Sequence, residues 1–227
     1  MLPFLQINNQ SKNPEFRLLA LILFSYLFIC FPLAQIYFKD SFFLHSYWTL
    51  FFFALTLIVL SFSGRLSFSQ LGLSSPNSRN ISFGLVIGIF PVVVVVVLDL
   101  LLLKTGLAEN DLFSGAEFRE SPNLSIINLL PDGVINPVVS QIFITGYALN
   151  TLAKRNDLAI SGNGILYATM NFNWGIGCLG LGMISAALLR FSGSIIPAVF
   201  FAIGCSTAKL LILMSYPRIT TLLVILV

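Results

Sequence analysis

The stretch from Ile81 to Leu103 reads ISFGLVIGIFPVVVVVVLDLLLL and holds a single ionisable residue, Asp99. At ~1.5 Å of rise per residue, a helix of this length crosses the ~30 Å hydrocarbon core of a bilayer. The run Val92 to Val97 taken alone points the other way, because β-branched side chains favour strands. A lone strand in hydrocarbon leaves its N–H and C=O groups unpaired, whereas a helix pairs them within itself. The apolar context therefore decides for a helix.

Working outward, Leu18 to Phe38 and Tyr47 to Phe62 are earlier apolar runs, separated by Lys39 and Asp40. The first is too long and too aromatic for a signal-peptide core and is expected to be retained. Residues 1–17 are polar and read as an extramembrane leader, and 68–76 as an interfacial connector. Residues 104–123 are the most hydrophilic stretch, where Glu109, Asp111, Glu117 and Glu120 alternate with Leu107, Leu112, Phe113 and Phe118. Leu124 to Leu152 is a fourth span, expected to be interrupted at Pro131 and Pro137. Two short glycine-rich runs follow, Ile165 to Cys178 and Leu179 to Leu189, then a last span from Ile195 to Met214. The expectation is an all-α integral membrane protein. It is a polytopic bundle of about seven transmembrane helices, with 18–227 as one domain.

Composition agrees. Hydrophobic residues make up 57% of the chain and charged residues 9%, and the mean hydropathy is +0.93. Soluble domains carry about a quarter charged residues. The net charge of +3 is scattered, which excludes a nucleic-acid partner and leaves the lipid bilayer. Cys30, Cys178 and Cys205 lie in apolar runs with no C-x-x-C pair and read as small buried side chains.

Few chemistries are open to this chain. His45 is its only histidine, so H-E-x-x-H and other multi-histidine zinc sites are excluded. No metal or other cofactor is expected. Rhomboid-like serine chemistry, the aspartyl G-x-G-D pattern and the phosphate-binding P-loop also find no match. Intramembrane charges are costly and call for a role. Asp99 is close enough to a span end to reach the interface, while Lys209 either does the same or pairs with Asp99 or Asp132.

The segment Pro137-Val-Val-Ser140-Gln141-Ile-Phe143-Ile-Thr145-Gly146-Tyr147 resembles the P-x-x-E-E-x-x-x-R-G-Y motif of the CPBP family. These are the CAAX-protease and bacteriocin-processing intramembrane endopeptidases. Tyr167 to Asn171 is similar to the family's F-x-x-x-H, and Gly193, Ser194 and Pro197 to its G-S-x-x-P, with Ala202 and Ser206 where H-x-x-x-N would follow. The resemblance covers about 66–210. It implies a membrane protease fold in which every catalytic position is changed: Ser140, Gln141, Thr145, Asn171, Ala202 and Ser206. Glutamine takes up no proton at neutral pH and alanine ligates nothing.

What remains is a neutral polar set, Gln141, Asn171, Asn173 and Ser206, with Lys209 one turn beyond. It reads either as a pocket for a small molecule or lipid headgroup, or as interhelical hydrogen bonds. A Ser140–Lys209 dyad is a further alternative. The leading functional expectation is a catalytically inactive CPBP-like protein. It would act as scaffold, chaperone-like factor or regulator of another membrane protein, with 104–123 as contact surface. The alternatives are an endopeptidase with an unorthodox site, and a small-molecule or lipid binding or transport protein. The host membrane would be the plasma membrane or an internal one such as a thylakoid.

Lys12, Arg17, Arg65, Arg79, Lys154, Arg155 and Arg190 fall on the side of the N-terminus. Lys39, Lys104, Arg119 and Arg218 fall on the other. Cytoplasmic loops are enriched in Lys and Arg, so the N-terminus is expected to be cytoplasmic. Reporter fusions test this: those at Arg79 and Lys154 should read cytoplasmic, and one at Lys39 should not. A cytoplasmic signal at Lys39 would reverse the orientation.

Overall fold

The computed structural model describes residues 14–66, 71–73, 78–104, 130–152 and 158–215. The leader before Pro14, most of the acidic segment 104–123 and the apolar tail 219–227 lie outside the described residues. The fold is an all-helical bundle of seven helices among the described residues. They are α1 (Pro14–Tyr37), α2 (Phe42–Phe62), α3 (Ser78–Lys104), α4 (131–152), α5 (Leu158–Met170), α6 (Ile176–Ser192) and α7 (Ile196–Ser215). Of these, α1, α2 and α3 are long and apolar enough to cross a membrane, and α6 and α7 contribute shorter apolar segments. Large apolar side chains such as Phe28, Ile36, Leu55, Phe62, Val86 and Phe90 stand exposed. That is the surface of a protein solvated by lipid.

The prolines bend the hydrogen-bond pattern without ending the helices. Pro32 and Pro137 have no N–H to donate. Around them the backbone adopts wider π-helical turns at Tyr26–Cys30, Pro131–Ile135 and Gln141–Ala148. In these turns Phe31, Asn136 and Leu149 donate to the carbonyls of Tyr26, Pro131 and Ile144, five residues back. The fourth span is therefore continuous through Pro137, where an interruption was expected. Pro91 likewise lies inside an unbroken α3.

Helix α4 is the centre. Its residues Phe143 to Ala148 are all buried, and it contacts α1, α2, α5, α6 and α7. Phe143 stacks on Phe53 of α2 with ring centroids 4.4 Å apart. The connector Leu71-Gly72-Leu73, expected at the interface, is instead tucked into the bundle. Leu71 is buried, and the Gly72 carbonyl accepts from Ile195 N at 3.1 Å, just before α7. Gly72 holds φ +70°, which a side chain would strain.

The break between α5 and α6 also moves. It falls at residues 171–175, not after Cys178. Phe172 adopts φ +50°, Gly175 is extended, and the Asn173 carboxamide accepts from Gly175 N at 2.9 Å. Short polar side chains that compete for backbone groups favour turns over helix interiors. The Asn171 and Asn173 pair outweighed the apolar continuity on either side.

Close helix crossings rest on a few glycines. Gly84 and Gly88 are four apart and share one face of α3. A Cβ on Gly88 would stand 2.6 Å from the Phe200 carbonyl of α7, and one on Gly204 would overlap the Gly88 carbonyl. In the α5–α6 pair, a Cβ on Gly182 would stand 2.7 Å from the Asn163 carbonyl. Gly146 is similarly enclosed by Ile195 and Leu71. Gly177 and Gly180 face open space. Overpacking costs about 1–3 kcal/mol. Gly204→Ala and Gly146→Leu should each lower the melting temperature in mild detergent by several degrees. Gly177→Ala and Gly180→Ala should leave it unchanged or slightly raised. Equal losses at all four positions would mean that glycine contacts do not set the packing.

Candidate functional site

Three side chains form a hydrogen-bonded chain through the interior. Asn163 on α5 donates from Nδ2 to the Gly182 carbonyl of α6 at 2.7 Å and to Thr145 Oγ1 on α4 at 3.1 Å. Thr145 in turn donates to Gln141 Oε1 at 2.7 Å. Gln141, Thr145 and Asn163 are all fully buried.

The direction of this chain follows from its anchor. The Gly182 carbonyl can only accept, so the Asn163 amide nitrogen must face it. Thr145 then receives a hydrogen from Asn163, and its own hydroxyl hydrogen goes to an acceptor on Gln141. The carbonyl oxygen of Gln141 is thereby engaged and its NH₂ faces away. Gln141 Nε2, Asn163 Oδ1 and, on α6, Ser185 Oγ are buried without a hydrogen-bond partner among the described residues. The Tyr167 hydroxyl lies beside the Gln141 side chain, with Cys178 and Cys205 within electrostatic range.

The remaining expected residues are placed elsewhere. Ser140 is buried and donates to Asn136 Oδ1 at 3.2 Å on its own helix. Asn171 donates to the Tyr167 carbonyl at 2.8 Å, closing the end of α5. Asn173 is exposed in the turn. On α7, Ala202 is buried, Ser206 half-buried and Lys209 exposed. The eight residues thus divide into an interior seam on α4, the α5–α6 turn, and one side of α7. The dyad of Ser140 with Lys209 joins a hydroxyl already bonded to Asn136 to an exposed amine.

Asp99, expected near the interface, is buried on α3. Asp132 accepts from the Tyr47 hydroxyl at 3.2 Å. Sequence reasoning missed Asn163 and Ser185, and took Tyr167 only as the aromatic position of the F-x-x-x-H-like stretch. The available signal was the spacing of Asn163, Tyr167 and Asn171, which recur every four residues and so share one helix face.

Among the described residues no three His, Cys, Asp or Glu side chains group as metal ligands. A cleft of about 330 Å³ between α3, α4 and α7 is lined by apolar side chains, among them Ile81, Val138, Ile142 and Phe200. It offers no acid, base or nucleophile.

Leaving a buried polar group unpaired costs about 1–3 kcal/mol. Asn163→Leu would strip Thr145 of its donor and unlink three helices, so it should lower detergent-solubilised stability by roughly that amount. Asn173→Ala, which removes one local bond in an exposed turn, should cost less. Thermal denaturation compares the two, and the reverse order would show that the seam does not hold the bundle.

The model of the family described as type II CAAX prenyl endopeptidase Rce1-like matches residues 122–208. No curated protein matches the chain, and no solved structure does. The matched residues contain α4, α5, α6 and most of α7, including the interior seam and the α5–α6 turn. The resemblance to this Rce1-like model is thus confined to residues 122–208 of the membrane protein, the part of the chain that holds Ser140, Gln141, Thr145, Asn171, Ala202 and Ser206.

Proposed function

We propose that this protein is a non-proteolytic Rce1-like membrane protein that works by binding, as a scaffold or regulatory partner of another membrane protein. The observation that carries this reading is the state of Gln141. It stands where the motif places a carboxylate, it has no proton affinity at neutral pH, and its oxygen is held by Thr145. Ser140 beside it is bonded to Asn136, and Ala202 offers no ligand. A general base must reach the proton that it removes, and none of these side chains supplies one.

The acidic segment 104–123 is the proposed contact surface, because its charges cluster in a chain that otherwise avoids them. Long connections beside compact bundles often carry function. The N-terminus is proposed to be cytoplasmic. A second reading, a site for a small neutral polar molecule, draws on the unpaired Gln141 Nε2, Asn163 Oδ1 and Ser185 Oγ.

The purified protein should hold far less than one zinc per chain and leave a prenylated CAAX peptide intact. Cleavage that Gln141→Ala abolishes would overturn the non-proteolytic reading. For the partner role, Glu117→Lys with Glu120→Lys should deplete the membrane protein that co-purifies in mild detergent at low salt. Unchanged recovery would remove 104–123 as the contact surface.

A further inference from the structure

The Asn163 carboxamide is held where three helices meet. Its Nδ2 donates to the Gly182 carbonyl of α6 at 2.7 Å and to Thr145 Oγ1 of α4 at 3.1 Å. With both hydrogens of that nitrogen committed, the amide plane is fixed, and Oδ1 cannot turn toward either partner. Asn163 is 0% exposed, yet Oδ1 has no partner among the described residues. On α6, Ser185 is also 0% exposed, and its Oγ is likewise without a partner there.

The crossing of α5 and α6 sets these two residues at one level. Gly182 stands against Asn163, Gly164 and Tyr167. Ala186, one turn further along α6, packs in one cluster with Ala159, one turn earlier on α5. The two helices therefore run antiparallel, in step. Gly182, Ser185 and Ala186 are all buried residues of α6, and residues three and four apart share a helix face. Ser185 thus belongs to the inward face of α6, at the level bounded by Asn163 and Ala159. Small side chains dominate there, with Ala159, Ala186 and Ala198 in the cluster.

The two oxygens do not bond each other, and apolar neighbours cannot satisfy them. Leaving both unpaired in a bundle interior is costly. Water is the smallest molecule that donates and accepts at once, and buried waters settle at such orphaned groups, making about three hydrogen bonds each. An acceptor and a hydroxyl on facing helices, among small side chains, supply both the polar partners and the room.

We propose that one ordered water molecule bridges Asn163 Oδ1 and Ser185 Oγ, as a fixed part of the α4–α5–α6 junction. The water donates one hydrogen to Oδ1 and accepts the hydrogen of the Ser185 hydroxyl. Its second hydrogen goes to a helix carbonyl, which has a second lone pair beyond its ladder bond. The seam then runs from Gln141 through Thr145 and Asn163 to Ser185, and it grips α6 twice, at the Gly182 carbonyl and at the Ser185 hydroxyl. Gln141 Nε2, at the other end of the seam, takes no part. The water takes up two of the atoms that the second reading above offers to a solute.

Nuclear magnetic resonance on the isotope-labelled full chain in nanodiscs tests this. The Asn163 side-chain NH₂ is assigned through its own Cβ correlations. Its hydrogens should show cross-relaxation to the water resonance, opposite in sign between NOE and ROE spectra, which proton exchange does not give. That cross-peak should lose more than half of its intensity in Ser185→Ala, whereas Ser185→Thr, which keeps the hydroxyl, should retain it. A cross-peak absent from the wild type, or undiminished in Ser185→Ala, would overturn the bridge. Acetamide, a neutral probe with an amide donor and acceptor, should leave the wild-type cross-peak unchanged. Loss of the water signal on adding acetamide would uphold the solute reading and sink the assignment to water.

Discussion

In hydrocarbon there is no water to take a hydrogen bond, so every backbone N–H and C=O needs a partner from the chain itself. Helices meet this demand locally. Prolines break it, and the chain recovers at Pro32 and Pro137 by widening to π turns, where donors reach five residues back. The same demand bears on the α5–α6 turn, where the Asn171, Phe172, Asn173 and Gly175 amides all find acceptors close by in the chain.

Apolar faces supply little drive for association when the solvent is itself apolar, so packing depends on shape. That gives glycine its role on α3 and α7. Gly88 and Gly204 bring two backbones into contact, and the α3–α7 pair is the most extensive in the bundle. Gly164 and Gly182 do the same for α5 and α6, and bring the Gly182 carbonyl within reach of Asn163. Close approach is thus a precondition for the polar seam, because a wider crossing would put that carbonyl beyond hydrogen-bond distance.

The seam shows how an interior can be polar and yet carry no charge. A buried charge needs partners or it destabilises. Gln141, Thr145 and Asn163 carry no formal charge and satisfy much of one another, so the seam needs no counter-ion. The residues that shape the bundle, Pro137, Gly146 and Tyr147, are separate from those that would have carried chemistry.

Fold class and helix number were legible in the sequence because lipid solvation imposes a strong one-dimensional signal: long apolar runs with few charges. The family resemblance over 122–208 was legible too, since identity along the chain is all that such a comparison needs. The sequence was silent on which glycines touch a partner: Gly177 and Gly180 look as suitable as Gly182, and only helix rotation separates them. It was equally silent on Asn163, which joins Gln141 and Thr145 only once α5 crosses α4 at a particular height. Depth and rotation depend on contacts between residues far apart in the chain, such as Tyr26 with Met170 and Phe31 with Phe172. A linear pattern carries hydrophobicity but not those contacts. Tertiary structure therefore decided which polar residues form the seam and which lie in the turn.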